Sequence, residues 1–186
     1  MTLRLALALL AASAGAAHAQ DLFGIPMGGP ASQLGAKPFK PGWYQVTPPQ
    51  PDPQFEKFAV EAYRATGVCV IQGVSALIVA DPEGVKVRAA IDRLAEAYSP
   101  ALGAPEKLDT CRSMICAPEF WGVDMATGER RYGYRWRIKS GGALKKVREV
   151  SVVALARSAS SFTYLVEYQS DAVTACTTQE LAAGGG

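Results

Sequence analysis

The sequence predicts an α+β domain in which one main amphipathic helix packs on an antiparallel sheet of about five or six strands. Two observations lead to this fold class. Apolar residues recur with a sustained helical period at residues 85–98, whereas most other segments alternate between apolar and polar residues and are separated by turn residues. Strands linked by short turns pair as antiparallel neighbours, so they form a sheet and the helix covers one of its faces.

The first 19 residues have the three parts of a secretory signal peptide. Arg4 supplies the charged start, residues 5–12 form a short apolar run, and Ala17-His18-Ala19 is a small-residue cleavage site. We therefore expect cleavage after Ala19 and a mature protein that is periplasmic or secreted. His18 is the only histidine of the sequence, so the mature chain has no imidazole for catalysis or zinc binding.

Residues 20–54 are predicted to form a Pro/Gly-rich arm ahead of the domain. Eight of the twelve prolines lie there. Because proline fixes φ and removes a backbone donor, only short elements are expected. The candidates are two short strands, Phe23-Gly24-Ile25 and Trp43–Val46.

A single domain is predicted over residues 55–176, and its first half contains strands followed by the helix. Residues 55–65 fit either a helical stripe (Phe55, Phe58, Ala62) or a strand alternation (Phe58, Val60, Ala62), and we favour the strand. It turns into a Val- and Ile-rich run that ends at Val79 and is typical of one or two buried strands. A turn at residues 81–84 precedes the helix, which we expect over residues 85–98 with Pro100 ending it. Its apolar stripe repeats at intervals of four, three and four residues: Val87, Ile91, Leu94 and Tyr98.

The second half of the domain is predicted to be a series of hairpins. Residues 120–123 are read as a strand that turns at residues 126–129 into a second strand over residues 131–139. In that second strand cationic residues alternate with aromatic ones, so they point to opposite faces. Alternation continues at residues 150–154 and 162–168, and residues 177–186 are expected to be a flexible tail.

The four cysteines predict disulfide bonds, because an even number of cysteines in an exported chain is usually paired. Three connectivities are possible. Cys111 and Cys116 are close in sequence, which favours their pairing and leaves Cys69 with Cys176.

Composition and motifs exclude several classes of function. The 19 basic and 17 acidic side chains nearly balance, which predicts neither a nucleic-acid-binding protein nor a strongly acidic partner. The most apolar stretch after the leader, residues 67–80, is too short for a transmembrane anchor. Phosphate-binding loops and metal-ligand spacings are absent from the sequence, so we expect no cofactor and no metal.

The candidate site is a basic stretch, residues 130–148, that contains no acidic residue. Its alternating cations would lie on one strand face and could attract an anionic envelope component or an acidic protein. An ordinary solvated strand face that protects a sheet edge explains the same pattern. The first interpretation predicts an exported, disulfide-stabilised binding protein of unknown ligand and without catalytic residues. Its contact residues would be Arg131, Arg135, Arg137 and Lys139.

An alternative is a histidine-free hydrolase acting on envelope polysaccharide. Glycoside cleavage needs only two carboxyl groups, and Glu119, Asp124 and Glu129 lie close in sequence to Trp121, on which a sugar could stack.

Several landmarks occur together along the mature chain: Phe23-Gly24-Ile25 before a proline-rich stretch, Gly67-Val68-Cys69, a helix after Asp81, and Tyr164-Leu165-Val166-Glu167-Tyr168 before Cys176. In this order the chain resembles a family of small secreted proteobacterial proteins of unknown function. The resemblance implies a secreted α+β fold and supports the pairing of Cys69 with Cys176. It implies no activity, and the second pair, Cys111 and Cys116, departs from the family pattern.

Overall fold

A computed structural model describes residues 22–139 and 144–184. The predicted signal peptide lies outside the described residues. The strands are β1 (Lys37–Lys40), β2 (Trp43–Val46), β3 (Phe55–Tyr63), β4 (Gly67–Ser75), β5 (Glu106–Cys111), β6 (Arg130–Arg137), β7 (Val147–Ser158) and β8 (Ser161–Ser170). The helices are α1 (Val85–Leu102), α2 (Trp121–Ala126) and α3 (Val173–Gly184). Across the described residues, no helix combines the length and apolar character needed to cross a membrane.

All eight strands belong to one antiparallel sheet with the order β1-β2-β3-β4-β8-β7-β6-β5. The sheet consists of two four-stranded meanders, β1 to β4 and β5 to β8, and α1 connects them along the chain. The pairing of β4 with β8 joins the two meanders, with Val70 opposite Gln169 and Val74 opposite Leu165. The sheet therefore begins at β1 and ends at β5, which are its two edges.

The α+β class and the antiparallel sheet agree with the sequence analysis, but the predicted number of elements is wrong. The sheet has eight strands rather than five or six, and three helices are present rather than one main helix. Two strands, β1 and β2, lie in the proline-rich arm. Pro38 is compatible with β1 because an edge strand can lose a donor on its outer side. Residues 120–123, predicted as a strand, belong instead to a 3-10 turn and to the short helix α2.

We call the surface of the sheet that α1 covers the helix face. On this face, α1 packs across β6, β7 and β8. Its buried side includes Val87, Ile91, Leu94 and Tyr98, the stripe that the helical period indicates. Asp81 caps the helix, because its two carboxylate oxygens accept the backbone N–H groups of Lys86 and Val87 at 3.0 and 2.9 Å. The helix continues through Pro100 for one more half-turn and ends at Leu102.

The N-terminal segment covers the helix face over the first meander. Phe23 is buried and packs edge-on against Phe58 and Tyr168, with ring centres 4.9 and 5.9 Å apart. Gly73 makes room for this ring, since a β-carbon on Gly73 would lie 3.0 Å from it. The short strand expected at Phe23-Gly24-Ile25 is wrong: Phe23 has a φ of 59° within a 3-10 turn.

Helix α3 packs against β3 and β4 on the opposite side of the sheet. A disulfide between Cys69 and Cys176 attaches it there, and both sulfurs belong to a small second core with Trp43 and Val70. The helix includes residues 177–184 of the segment expected to be a tail. A second disulfide joins Cys111 to Cys116.

Candidate binding face

We call the surface of β4 to β8 that lies opposite α1 the open face. Helices α1 and α2 contact the helix face, as the contacts of Tyr98 with Trp136 and of Trp121 with Phe162 show. Helix α3 contacts β3 and β4. Along β5 to β8, therefore, the described helices leave the open face uncovered, and its side chains are arranged in rows by the strand register.

The central row of the open face is apolar. Strand pairing places its members side by side across five strands, so they form one continuous line. Its residues are Val74, Leu165, Val153, Gly133 and Leu108. Val153 and Leu108 remain partly exposed, and Leu155 extends the apolar surface along β7.

Gly133 interrupts this row, and a depression lies near it. Strand β6 lies so close to β7 there that a β-carbon on Gly133 would overlap the backbone oxygen of Val152. A depression of about 250 Å³ lies on this part of the face, lined by Leu108, Val153, Arg131 and Leu155 among others.

Thr163 lies beside this depression, opposite Leu155 in the register. It is 6% exposed, and its Oγ1 makes no hydrogen bond to the described part of the chain. A buried hydroxyl without a partner costs free energy, which a ligand or an ordered water can recover.

A polar row runs parallel to the apolar one. Its members are Gln72, Glu167, Ser151, Arg135 and Glu106. Gln72 donates to Glu167 at 2.6 Å, and Arg135 donates to Glu106 at 2.8 Å. The hydrogen bond from Arg135 lowers the pKa of Glu106, so this carboxylate stays ionised beside the arginines.

The structure brings three of the four predicted contact residues together on the open face. Arg131, Arg135 and Arg137 alternate along β6 and point away from the aromatic residues, which lie on the helix face. Lys139 is exposed but lies two residues beyond the end of β6.

Acidic neighbours offset part of this positive charge. Glu106 lies within 3.9 Å of Arg137 as well as within hydrogen-bonding distance of Arg135, and Glu149 is opposite Arg137 in the register. Arg131 is exposed and pairs with Thr110 in the register, so it places charge next to the depression.

The carboxylates of the alternative hydrolase are not arranged around an accessible ring. Trp121 is 1% exposed and packs against Phe162, so a sugar cannot stack on it. Asp124 is buried, and its Oδ2 lies 3.7 Å from the Nε of Arg130. Glu119 and Glu129 are exposed.

Sequence reasoning missed a polar cluster on the helix face. Asp92 of α1 accepts hydrogen bonds from the hydroxyls of Tyr132 and Tyr134, at 2.6 and 2.9 Å. The ammonium of Lys107 lies 5.3 Å from the ring centre of Tyr132. Burial and the bond to Asp92 raise the pKa of Tyr132. The alternation of β6 places the tyrosines under α1, but Asp92 belongs to the polar side of that helix in the sequence pattern.

Within residues 22–139 and 144–184, no three His, Cys, Asp or Glu side chains lie close enough together to hold a metal ion. Comparison with known proteins found no matching family model, no matching curated protein and no matching solved structure.

Proposed function

We propose that this protein is an exported binding protein whose open face holds a phosphate-bearing lipid of the cell envelope. The observation that carries the proposal is the position of Arg131, Arg135 and Arg137 beside an apolar row with a depression in it. The two disulfides support export, because disulfides persist in oxidising compartments. The signal-peptide pattern of residues 1–19 and the resemblance to secreted proteins support the same location.

The two parts of the face suit the two parts of such a ligand. Arginine guanidinium groups bind phosphate oxygens in a bidentate manner, and an exposed arginine loses little hydration when it does so. The apolar row next to them can cover part of an acyl chain and remove it from water. Thr163 offers a buried hydroxyl at the edge of the same surface.

The test measures binding of the mature chain, residues 20–186, to vesicles that contain anionic phospholipid and to vesicles of neutral phospholipid. The variant changes all four predicted contact residues to serine: Arg131, Arg135, Arg137 and Lys139. Because each cation near an anionic surface contributes about 1 kcal/mol, we expect the loss of four cations to weaken binding by about a thousandfold. Binding of the unchanged protein should weaken as salt is added.

A matched control removes the same charge elsewhere on the surface. It changes four exposed cations outside the open face to serine: Lys37, Arg64, Arg93 and Lys145. Equal weakening in both variants would show that only overall charge matters and would contradict the proposed face. If the protein captures an acidic protein from envelope extract and binds neither kind of vesicle, the ligand of the open face is a protein and not a lipid.

A further inference from the structure

We propose that two copies of this chain pair through their β5 strands and form one continuous antiparallel sheet, with Leu108 of each copy at the twofold axis. This inference concerns the edge of the sheet and is independent of the ligand of the open face.

The two edges of the sheet differ in their protection. The edge strand β1 is four residues long, contains Pro38, and begins with Lys37 and ends with Lys40. Short length, proline and lysine are features that hinder a strand from pairing with another chain. Strand β5 also carries a lysine, Lys107, but Asp109 on the same strand offsets its charge. The edge strand β5 is six residues long, contains no proline and pairs with β6 without a register shift.

The backbone groups on the outer side of β5 can be identified from the register. Arg112 donates its backbone N–H to Glu129, so it is directed toward the β6 side. The backbone N–H and C=O groups of successive residues point to alternate sides of a strand. The backbone groups of Leu108 and Thr110 therefore also point toward β6, whereas those of Lys107 and Asp109 point outward. Within the described residues, no backbone hydrogen bond uses these outward groups of Lys107 and Asp109.

The sequence of β5 is complementary to itself in one register. If Leu108 faces Leu108 of the second copy, Lys107 faces Asp109 of the second copy, and the reverse pair repeats on the other side of the axis. These two pairs exchange the outward backbone hydrogen bonds, and opposite charges on paired residues stabilise the pairing. Leu108 then occupies a non-hydrogen-bonded pair, in which side chains are closest.

Neighbouring registers lose this complementarity. A slip of two residues in one direction brings Lys107 opposite its own copy, and a slip in the other direction brings Asp109 opposite its own copy. Like charges directly opposite each other destabilise a sheet. A slip of one residue would place the open face of one copy and the helix face of the other on the same side of the joined sheet.

The charges needed for pairing are present at the surface. Lys107 and Asp109 are both exposed and lie on the same face of β5. Asp109 lies 4.0 Å from Arg130, a distance that leaves the carboxylate able to interact with a second cation. Leu108 of both copies would also join the two apolar rows across the new pair of strands.

The first test is a charge exchange measured by sedimentation equilibrium. Lys107→Asp makes both paired positions, 107 and 109, acidic, and Asp109→Lys makes both of them basic, so each variant alone places like charges opposite each other. We expect each to dimerise at least about tenfold more weakly than the unchanged mature chain. An equimolar mixture of the two variants restores complementary pairs and should dimerise as the unchanged chain does.

The second test uses a cysteine at the twofold axis. Paired Cα atoms in a non-hydrogen-bonded pair lie about 4.5 Å apart, within the range for a disulfide, so Leu108→Cys should form a covalent dimer under mild oxidation. Thr110→Cys is the control, because it faces Glu106 of the second copy and lies roughly 13 Å along the strand from its own equivalent.

Either of two results would overturn the proposal. One is an unchanged chain that remains monomeric up to about 1 mM, where even weak self-association is populated. The other is equal crosslinking of the two cysteine variants. Thermal unfolding of each variant separates loss of pairing from loss of the fold, and crosslinking of Leu108→Cys does not depend on the charge variants being folded.

Discussion

At the scale of single residues, tyrosine is the residue type whose chemistry the fold changes most. Burial raises the pKa of Tyr98 to about 12, and it raises the pKa of Tyr168 as well. The hydroxyls of these two residues are 3.3 Å apart inside the core. Tyr132 and Tyr134 share Asp92 as an acceptor, and burial together with this carboxylate raises the pKa of both. The neutral form of each hydroxyl is therefore the one that the folded state favours.

We predict that the protein loses stability in alkaline solution. A tyrosine with a raised folded-state pKa contributes stability that is fully present below its unfolded pKa of 10.0 and is lost as the pH rises through the folded value, about 12 for Tyr98. The free energy of unfolding, measured by urea denaturation, should fall between these two pH values. Tyr98→Phe should reduce that fall and Tyr44→Phe, outside this buried group, should not. A fall of equal size in both variants would contradict the explanation.

At the scale of elements, the two disulfides should differ in what they stabilise. Cys69 and Cys176 are 107 residues apart, whereas Cys111 and Cys116 are five apart. The longer link holds α3 on β3 and β4, and the shorter one closes a surface loop with exposed Met114 and Ile115.

We predict a larger loss of stability from the double change Cys69→Ser with Cys176→Ser than from Cys111→Ser with Cys116→Ser. Loop-closure entropy gives nearly 5 kcal/mol for the long loop and about 2 kcal/mol for the short one. Urea denaturation of the two variants measures the difference. Emission from Trp43, compared with a Trp43→Phe background, should change only in the first variant because this ring lies in the small core beneath α3. Equal losses in both variants would contradict this assignment.

The elements also show how far sequence patterns predict this fold. Helix α1 is amphipathic over several turns, so its stripe and its position were predictable from Val87 to Tyr98. Strand β5 escaped prediction because charged residues lie on both of its faces, as an edge strand allows. Helix α2 has only six residues, too few to display a period. Alternation in β6 predicted the face of the arginines, but the position of Glu106 beside them depends on strand order, which local patterns do not contain.

At the scale of the whole molecule, two consecutive meanders share one core. The main cluster of buried residues extends along the chain from Phe23 to Tyr168 and includes side chains from β3, β4 and α1 as well as from β6, β7 and β8. The contact of Phe23 with Tyr168 joins the first described segment to the last strand. Neither meander can therefore bury its apolar residues without the other.

We predict that the two meanders unfold together. Far-ultraviolet circular dichroism, which follows the strands, and near-ultraviolet circular dichroism, which follows the buried aromatic rings, should give coincident urea transitions. Residues 20–84 expressed alone should lack the near-ultraviolet signal. Two separated transitions in a chain of residues 20–186 would show instead that the meanders are independent units.

The pairing of β4 with β8 affects the order in which the sheet can form during synthesis. Synthesis completes β4 long before β8, so one edge of this Val- and Ile-rich strand stays unpaired until the last strand has been made. Strands in that condition are the ones that aggregate. Cys69 belongs to the same strand, β4, and its disulfide partner, Cys176, follows β8 in the sequence. The bond between Cys69 and Cys176 can therefore form only in a chain whose last strand has already been synthesised.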